Sequence, residues 1–239
     1  MRDLVTEISP RDVMHRSDPD RYFIVGREAL ETVERFMILV GVDKPASILD
    51  LPCGHGRVLR FFRARFPDAA ITACDLDTDA VDFCASTFGA RPVYSTPDLS
   101  NVPLNGEFDV IWCGSLLTHI HADQWRPILR LFADHLRESG LLVLTTHGRF
   151  HAGRLRSGKT TLGLSQWGAK TVLFDYERSG FGFVSYPQQD GYGISLSSAP
   201  FVCSQVLATP LLRLAAYAER GWSDHQDAVA CVKDSREAG

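Results

Sequence analysis

The stretch Ile48-Leu49-Asp50-Leu51-Pro52-Cys53-Gly54-His55-Gly56-Arg57 constrains the chain most, because a short apolar run ends in a carboxylate and breaks at once into a glycine-containing turn. Beyond it Val58, Leu59, Phe61, Phe62 and Phe66 recur at helical spacing. Strand, tight loop and helix in that order put the loop at the carboxyl end of the strand, where open α/β sheets bind ligands. Gly54 and Gly56 let the backbone turn sharply and come close to a ligand, and the free N–H groups of the new helix attract an anionic group. A nucleotide-like ligand suits such a loop.

The alternation continues downstream. Residues 70–74 form an apolar run ending in Asp75-Leu76-Asp77, before a helical pattern carrying Ala80, Val81, Phe83 and Cys84. Residues 91–95 suggest a short third strand, and residues 108–113 a fourth, followed by Gly114-Ser115. A helix from Asp123 leads through Gly140 to a fifth strand at 141–146, which ends at His147-Gly148. Strand and helix alternating over 48–148 call for a doubly wound parallel sheet with helices on both faces.

The glycine loop is not the dinucleotide fingerprint, since Leu59 stands where the third glycine is needed for close helix packing. Residues 50–56 instead resemble motif I of the class I S-adenosylmethionine (SAM) dependent methyltransferases, commonly Asp-Leu-Gly-Cys-Gly-x-Gly. The departure is Pro52, which can replace glycine only where no N–H is used and φ is negative. Asp75 falls about 20 residues past the glycine turn, the spacing that sets a carboxylate at the end of the neighbouring strand to accept from both ribose hydroxyls. Asp77 competes, but Asp75 directly terminates the apolar run.

The resemblance implies a Rossmann-like, seven-stranded, mostly parallel sheet with an antiparallel last strand, and SAM as cofactor, with S-adenosylhomocysteine as product. Asp50, Pro52, Cys53, Gly54, Gly56, Asp75 and Leu76 become cofactor residues, and Asp98 the acceptor for the adenine amino group. Residues 108–113 resemble motif IV, which implies that Gly114 and Ser115 run beneath the methionine part. A hydroxyl acceptor benefits from a base, and His147 and His119, each just past a strand end, are placed to serve, with His225 a further possibility.

A length of 239 residues without a long linker indicates one domain. It divides into a helical lid (1–45), a SAM-binding core (46–148), a substrate-recognition insertion (149–190) and C-terminal strands and helix (191–239). In the lid an amphipathic helix is expected over 27–40, with Tyr22 and Phe23 able to close over the cofactor. Strands at 192–196 and 227–232 would complete the sheet, with a helix around 211–217 between them. The insertion mixes Arg149, Arg154, Arg156 and Lys159 with Trp167, Phe174 and Tyr176, which suits a polar, anionic or sugar-like acceptor.

A formal net charge of -4 disfavours nucleic acid. The chain has neither a membrane-length apolar run nor an apolar signal core, so the cytoplasm is expected. The cysteines lack C-x-x-C spacing, and His119 with His121 lacks a third ligand, so neither disulfides nor a metal is expected. The function expected is methyl transfer to an oxygen or nitrogen of a small molecule or sugar by a monomer or homodimer. The alternatives are methylation of RNA or protein, or a Rossmann-like nucleotide-binding protein without catalysis.

Overall fold

The computed structural model describes residues 3–98 and 101–234. A short helix α1 (Val13–Ser17) leads into α2 (Pro19–Val40), 22 residues long. The sequence pattern places its start at Arg27, but Asp18 caps it by accepting from the Arg21 amide and Pro19 fits its first turn. Gly41, at φ 80, ends it. Tyr22 and Phe23 therefore lie within the helix. At Gly26 a Cβ would meet the Arg57 carbonyl at 2.2 Å and the Phe61 ring at 2.6 Å, so only glycine lets α2 cross the cofactor loop this closely.

The core alternates as expected: β1 (Ser47–Asp50), α3 (Leu59–Arg65), β2 (Ala70–Asp75), α4 (Thr78–Phe88), β3 (Arg91–Tyr94), β4 (Phe108–Cys113), α5 (Trp125–His135) and β5 (Leu136–Thr146). Strand β5 begins ahead of the expected 141, and its pairing with β4 is irregular between Phe108 and Val110. Then come α6 (Arg149–Arg156), α7 (Gln166–Ser179), β6 (Phe181–Tyr186), β7 (Gln189–Ser197), α8 (Ala199–Leu207), β8 (Leu212–Trp222) and β9 (Gln226–Lys233).

The main sheet has seven strands in the order β3-β2-β1-β4-β5-β9-β8. The first five in this order run parallel, and β9 is antiparallel to both its neighbours. This is the Rossmann-like methyltransferase arrangement. Successive residues of the central strands face opposite cores, as parallel strands buried on both sides require. Ile48, Val110 and Val143 pack under α2 and α3, while Leu49, Ile111 and Leu142 pack against α5 and α8.

Three expectations for the carboxyl-terminal half need correction. Residues 192–196 belong to β7, which pairs with β6 in a separate two-stranded sheet. The place beside β5 is taken by β9. Residues 211–217 are not helical but lie at the start of β8; their leucines and alanines favour helix, yet pairing with β9 overrides that weak preference. The helix lies upstream, where Ser198 caps it and Pro200 sits in its first turn. Finally, 149–189 is not irregular but folds as two helices and a strand, and the hairpin β6–β7 runs across the boundary expected at 190.

No helix among the described residues is long and apolar enough to cross a membrane.

Candidate active site

The site is built on the loop leaving β1. Its backbone is tied to the neighbouring strand by the Cys53 amide, which donates to the Cys74 carbonyl at 3.0 Å. The Gly54 amide donates to Asp75 Oδ2 at 2.8 Å, and the Asp77 amide to Asp75 Oδ1 at 3.0 Å. One carboxylate thus fixes the glycine turn and the start of the next loop. Gly54 has φ 48, and a Cβ there would meet nothing within 4 Å, so the turn opens into space. Gly56 has a different reason to be glycine: a Cβ would strike the Phe88 ring at 2.4 Å.

That space is a cavity of about 1170 Å³ above the carboxyl ends of the strands, larger than the roughly 300–1,000 Å³ typical of small-ligand sites. Pro52, Cys53, Gly54, Asp75 and Leu76 form one end of its lining, and Gly114 and Ser115 also line it. Gly114 has no room for a Cβ, which would come within 2.7 Å of Trp112 Nε1. Ser115, at φ 64, is pinned by its amide on Thr145 Oγ1 (2.8 Å) and by Gln226 Nε2 on its hydroxyl (2.9 Å). Thr145 in turn donates to Gln226 Oε1 at 2.6 Å.

Three sequence-expected residues stay outside the lining. Asp50 is 1% exposed, and neither carboxylate oxygen has a hydrogen-bond partner among the described residues. Burial, aided by the Asp75 charge, pushes its pKa well above the carboxylate range, with Arg57 opposing. Gly56 packs on α4 instead. Asp98 accepts from Asn101 Nδ2 at 2.6 Å and serves the turn, whereas Ser95, Thr96 and Pro97 reach the cavity.

Both expected histidines line it. His119 Nδ1 donates to the Gly193 carbonyl at 2.7 Å, while the Gly193 amide donates to the His119 carbonyl at 2.9 Å. The imidazole stacks on Tyr192, with centroids 4.9 Å apart and planes at 23°. Burial lowers its pKa, against the opposing effect of the Gly193 hydrogen bond. His147 is buried, and its pKa lies well below the usual histidine value through burial and then the nearby His151, His119 and His225.

Sequence reasoning missed the row these rings form: His147 lies 4.2 Å from His151, and His151 5.6 Å from His225. His225 lines the cavity; His151 is buried with both ring nitrogens unpartnered among the described residues. Also missed were Arg57, half-buried directly after Gly56, and Arg21 on α2. Tyr22 lines the cavity as a lid residue would, its hydroxyl on Asp12 Oδ2 at 2.6 Å, but Phe23 packs into the core.

The acceptor-recognition set does not assemble. None of Arg149, Arg154, Arg156, Lys159, Trp167, Phe174 or Tyr176 lines the cavity. Arg149 pairs with Glu219 and Arg156 with Glu177, while Trp167 and Phe174 are exposed on α7. The 149–189 segment supplies Leu162, Tyr186 and Gln189. Among the described residues no group of three or more histidine, cysteine or acidic side chains could hold a metal.

Residues 48–140 match the family model described as a methyltransferase domain, and the fold around them is that of the SAM-dependent enzymes. Residues 48–140 thus form a methyltransferase domain. Similar proteins include the ribosomal protein L11 methyltransferase of Geotalea daltonii, 28% identical over 151 residues, covering 57% of this chain and 46% of the relative. The malonyl-[acyl-carrier protein] O-methyltransferase of Laribacter hongkongensis is 27% identical over 140 residues, covering 54% and 46%. The chain thus spans about half the length of these curated relatives. A SAM-dependent methyltransferase from Clostridium acetobutylicum superposes with a TM-score of 0.63 at 16% identity, covering 94% of this chain and 96% of that one.

Proposed function

We propose that the chain transfers the methyl group of SAM to an oxygen or nitrogen of a small molecule. The observation that carries this reading is the Gly54 amide held on Asp75 in the lining of the cavity. The residues fit the cofactor: Asp75 keeps acceptor capacity for ribose hydroxyls, the space over Gly54 admits a ligand against bare backbone, and Pro52 and Leu76 offer apolar surface. When bound, SAM supplies a methyl on a sulfonium whose departure leaves a neutral thioether.

The protein therefore needs no acid. Its work is to orient the acceptor, where alignment is worth about 7–11 kcal/mol at the extreme, and to take up a proton. The pinned Ser115 turn and the β6–β7 hairpin bound the part of the cavity left to the acceptor. A pocket enclosed by this hairpin suits a small molecule better than a polymer. The two relatives named above act on different acceptors by name, a ribosomal protein and a malonyl group on a carrier protein, so the acceptor reading rests on the cavity.

Incubating the protein with methyl-labelled SAM and a cell extract tests this. Label is expected in the low-mass fraction; label confined to precipitable protein or RNA would contradict the small-molecule reading.

A further inference from the structure

One wall of the cavity carries His119, His147, Tyr186, Tyr192, Gln124 and Gln189, with Asp190 beside them on the hairpin. It contains no lysine or arginine. The cations among the described lining residues are Arg21 and Arg57, on α2 and on the loop after Gly56. An anion brought to this wall would lose its hydration without meeting a positive charge, since no lysine or arginine is among the charges acting on these four rings. The histidines do not supply that charge, because burial keeps His119 and His147 neutral near pH 7.

The wall instead offers flat faces and one bare nitrogen. Tyr192 stacks on His119, and the Tyr186 ring lies 6.0 Å from Tyr192 and 6.1 Å from His119, making a three-ring corner. A carbonyl oxygen only accepts, so the 2.7 Å contact with Gly193 requires the proton of neutral His119 to sit on Nδ1. Nε2 is left with its lone pair, and no hydrogen bond from the described residues occupies it. The second, reciprocal bond between the His119 and Gly193 backbones holds the ring in register with the hairpin.

We infer that the acceptor is an uncharged, ring-bearing alcohol or amine whose ring lies on the Tyr186–Tyr192 corner and whose nucleophile is deprotonated by His119 Nε2, and that it is not a carboxylate. This deepens the methyltransferase reading and rests on it. In the step, the acceptor's lone pair forms the new bond to the methyl carbon as the carbon–sulfur bond breaks, its electrons remaining on sulfur. The acceptor proton passes to Nε2, and the imidazolium later yields it to solvent. A carboxylate nucleophile has no proton to give and would need a cation that this wall lacks. A malonyl end group is of that kind.

Two measurements on the full chain decide the matter. In nitrogen-15 NMR the His119 ring is expected as the Nδ1–H tautomer at pH 7; an Nε2–H tautomer would overturn the assignment. The titratable groups packed against this ring are Tyr186 on β6, Tyr192 on β7 and His147 past β5. The same spectra of His147→Gln separate the two histidines.

In the second measurement, labelled SAM is offered with pyranosides, phenols and ring amines, and with their uronate and benzoate counterparts. Label is expected on neutral members alone. His119→Gln should slow transfer about 10²–10⁴-fold and leave S-adenosylhomocysteine affinity within about twofold; Tyr192→Ala should raise KM more than it lowers kcat. Transfer to the carboxylates, transfer to no neutral member, or an unchanged rate in His119→Gln would each overturn the inference. Failure of the wild-type chain to bind S-adenosylhomocysteine would instead remove the cofactor reading beneath it.

Discussion

At the scale of single residues, Gly54 and Asp75 act as one unit: the carboxylate holds the glycine amide, and the glycine leaves open the space above it. Gly54→Val should therefore keep the fold while abolishing S-adenosylhomocysteine binding. The positive φ costs about 1–2 kcal/mol, and the branched side chain occupies the cofactor's place. Normal circular dichroism with retained binding would contradict this. The place of Asp75 at a strand end beside the turn was readable from sequence, because strand length and helix length together fix its distance from Gly54. That Asp98 and Gly56 lie outside the cavity lining was not, since a turn residue and a packing glycine carry the same letters as a ligand contact. Arg57 and His151 left no pattern at all; burial and the rings beside them give them meaning only in three dimensions.

At the scale of elements, β1 to β5 were legible because each is an apolar run flanked by turn residues, and the helices between them keep a clear period. The carboxyl-terminal half was not, because Leu212–Trp222 carries helix-forming residues that pairing with β9 turns into a strand. The 149–189 segment misled through its composition: its arginines are paired with acids on the surface and its aromatics face outward. Trp167→Ala and Phe174→Ala together should change stability by no more than about 0.5 kcal/mol, as exposed substitutions do, with labelled methyl transfer unaltered. A loss of transfer would return recognition to α7. Gly193→Val acts oppositely: its Cβ would meet the Val184 carbonyl at 2.0 Å, so β6 and β7 must part and His119 lose its anchor. Transfer should vanish while S-adenosylhomocysteine affinity, read by calorimetry, stays within a few-fold.

At the scale of the whole molecule, the histidine row couples stability to pH. Burial, then His225 and Arg154, lower the His151 pKa to about 4 from the ordinary 6.5. Between those values the unfolded chain binds a proton that the folded chain refuses, so stability drains as pH falls from 6.5 toward 4, and nothing is lost above 6.5. His119, His147 and His225, also lowered, add in the same direction. His151→Phe removes two buried nitrogens without partners among the described residues and should raise Tm more at pH 5 than at pH 7.5; an equal or smaller gain at pH 5 would show that this ring does not titrate as described. Sheet, loop and α2 converge on one claim, that the cavity beside Gly54 and Asp75 holds SAM. Calorimetry with S-adenosylhomocysteine on the wild type and on Asp75→Ala tests it most directly. One-site binding by the wild type is expected, weakened by about 1–3 kcal/mol in the variant; no binding by the wild type, or the same affinity in both, would contradict SAM binding at Asp75.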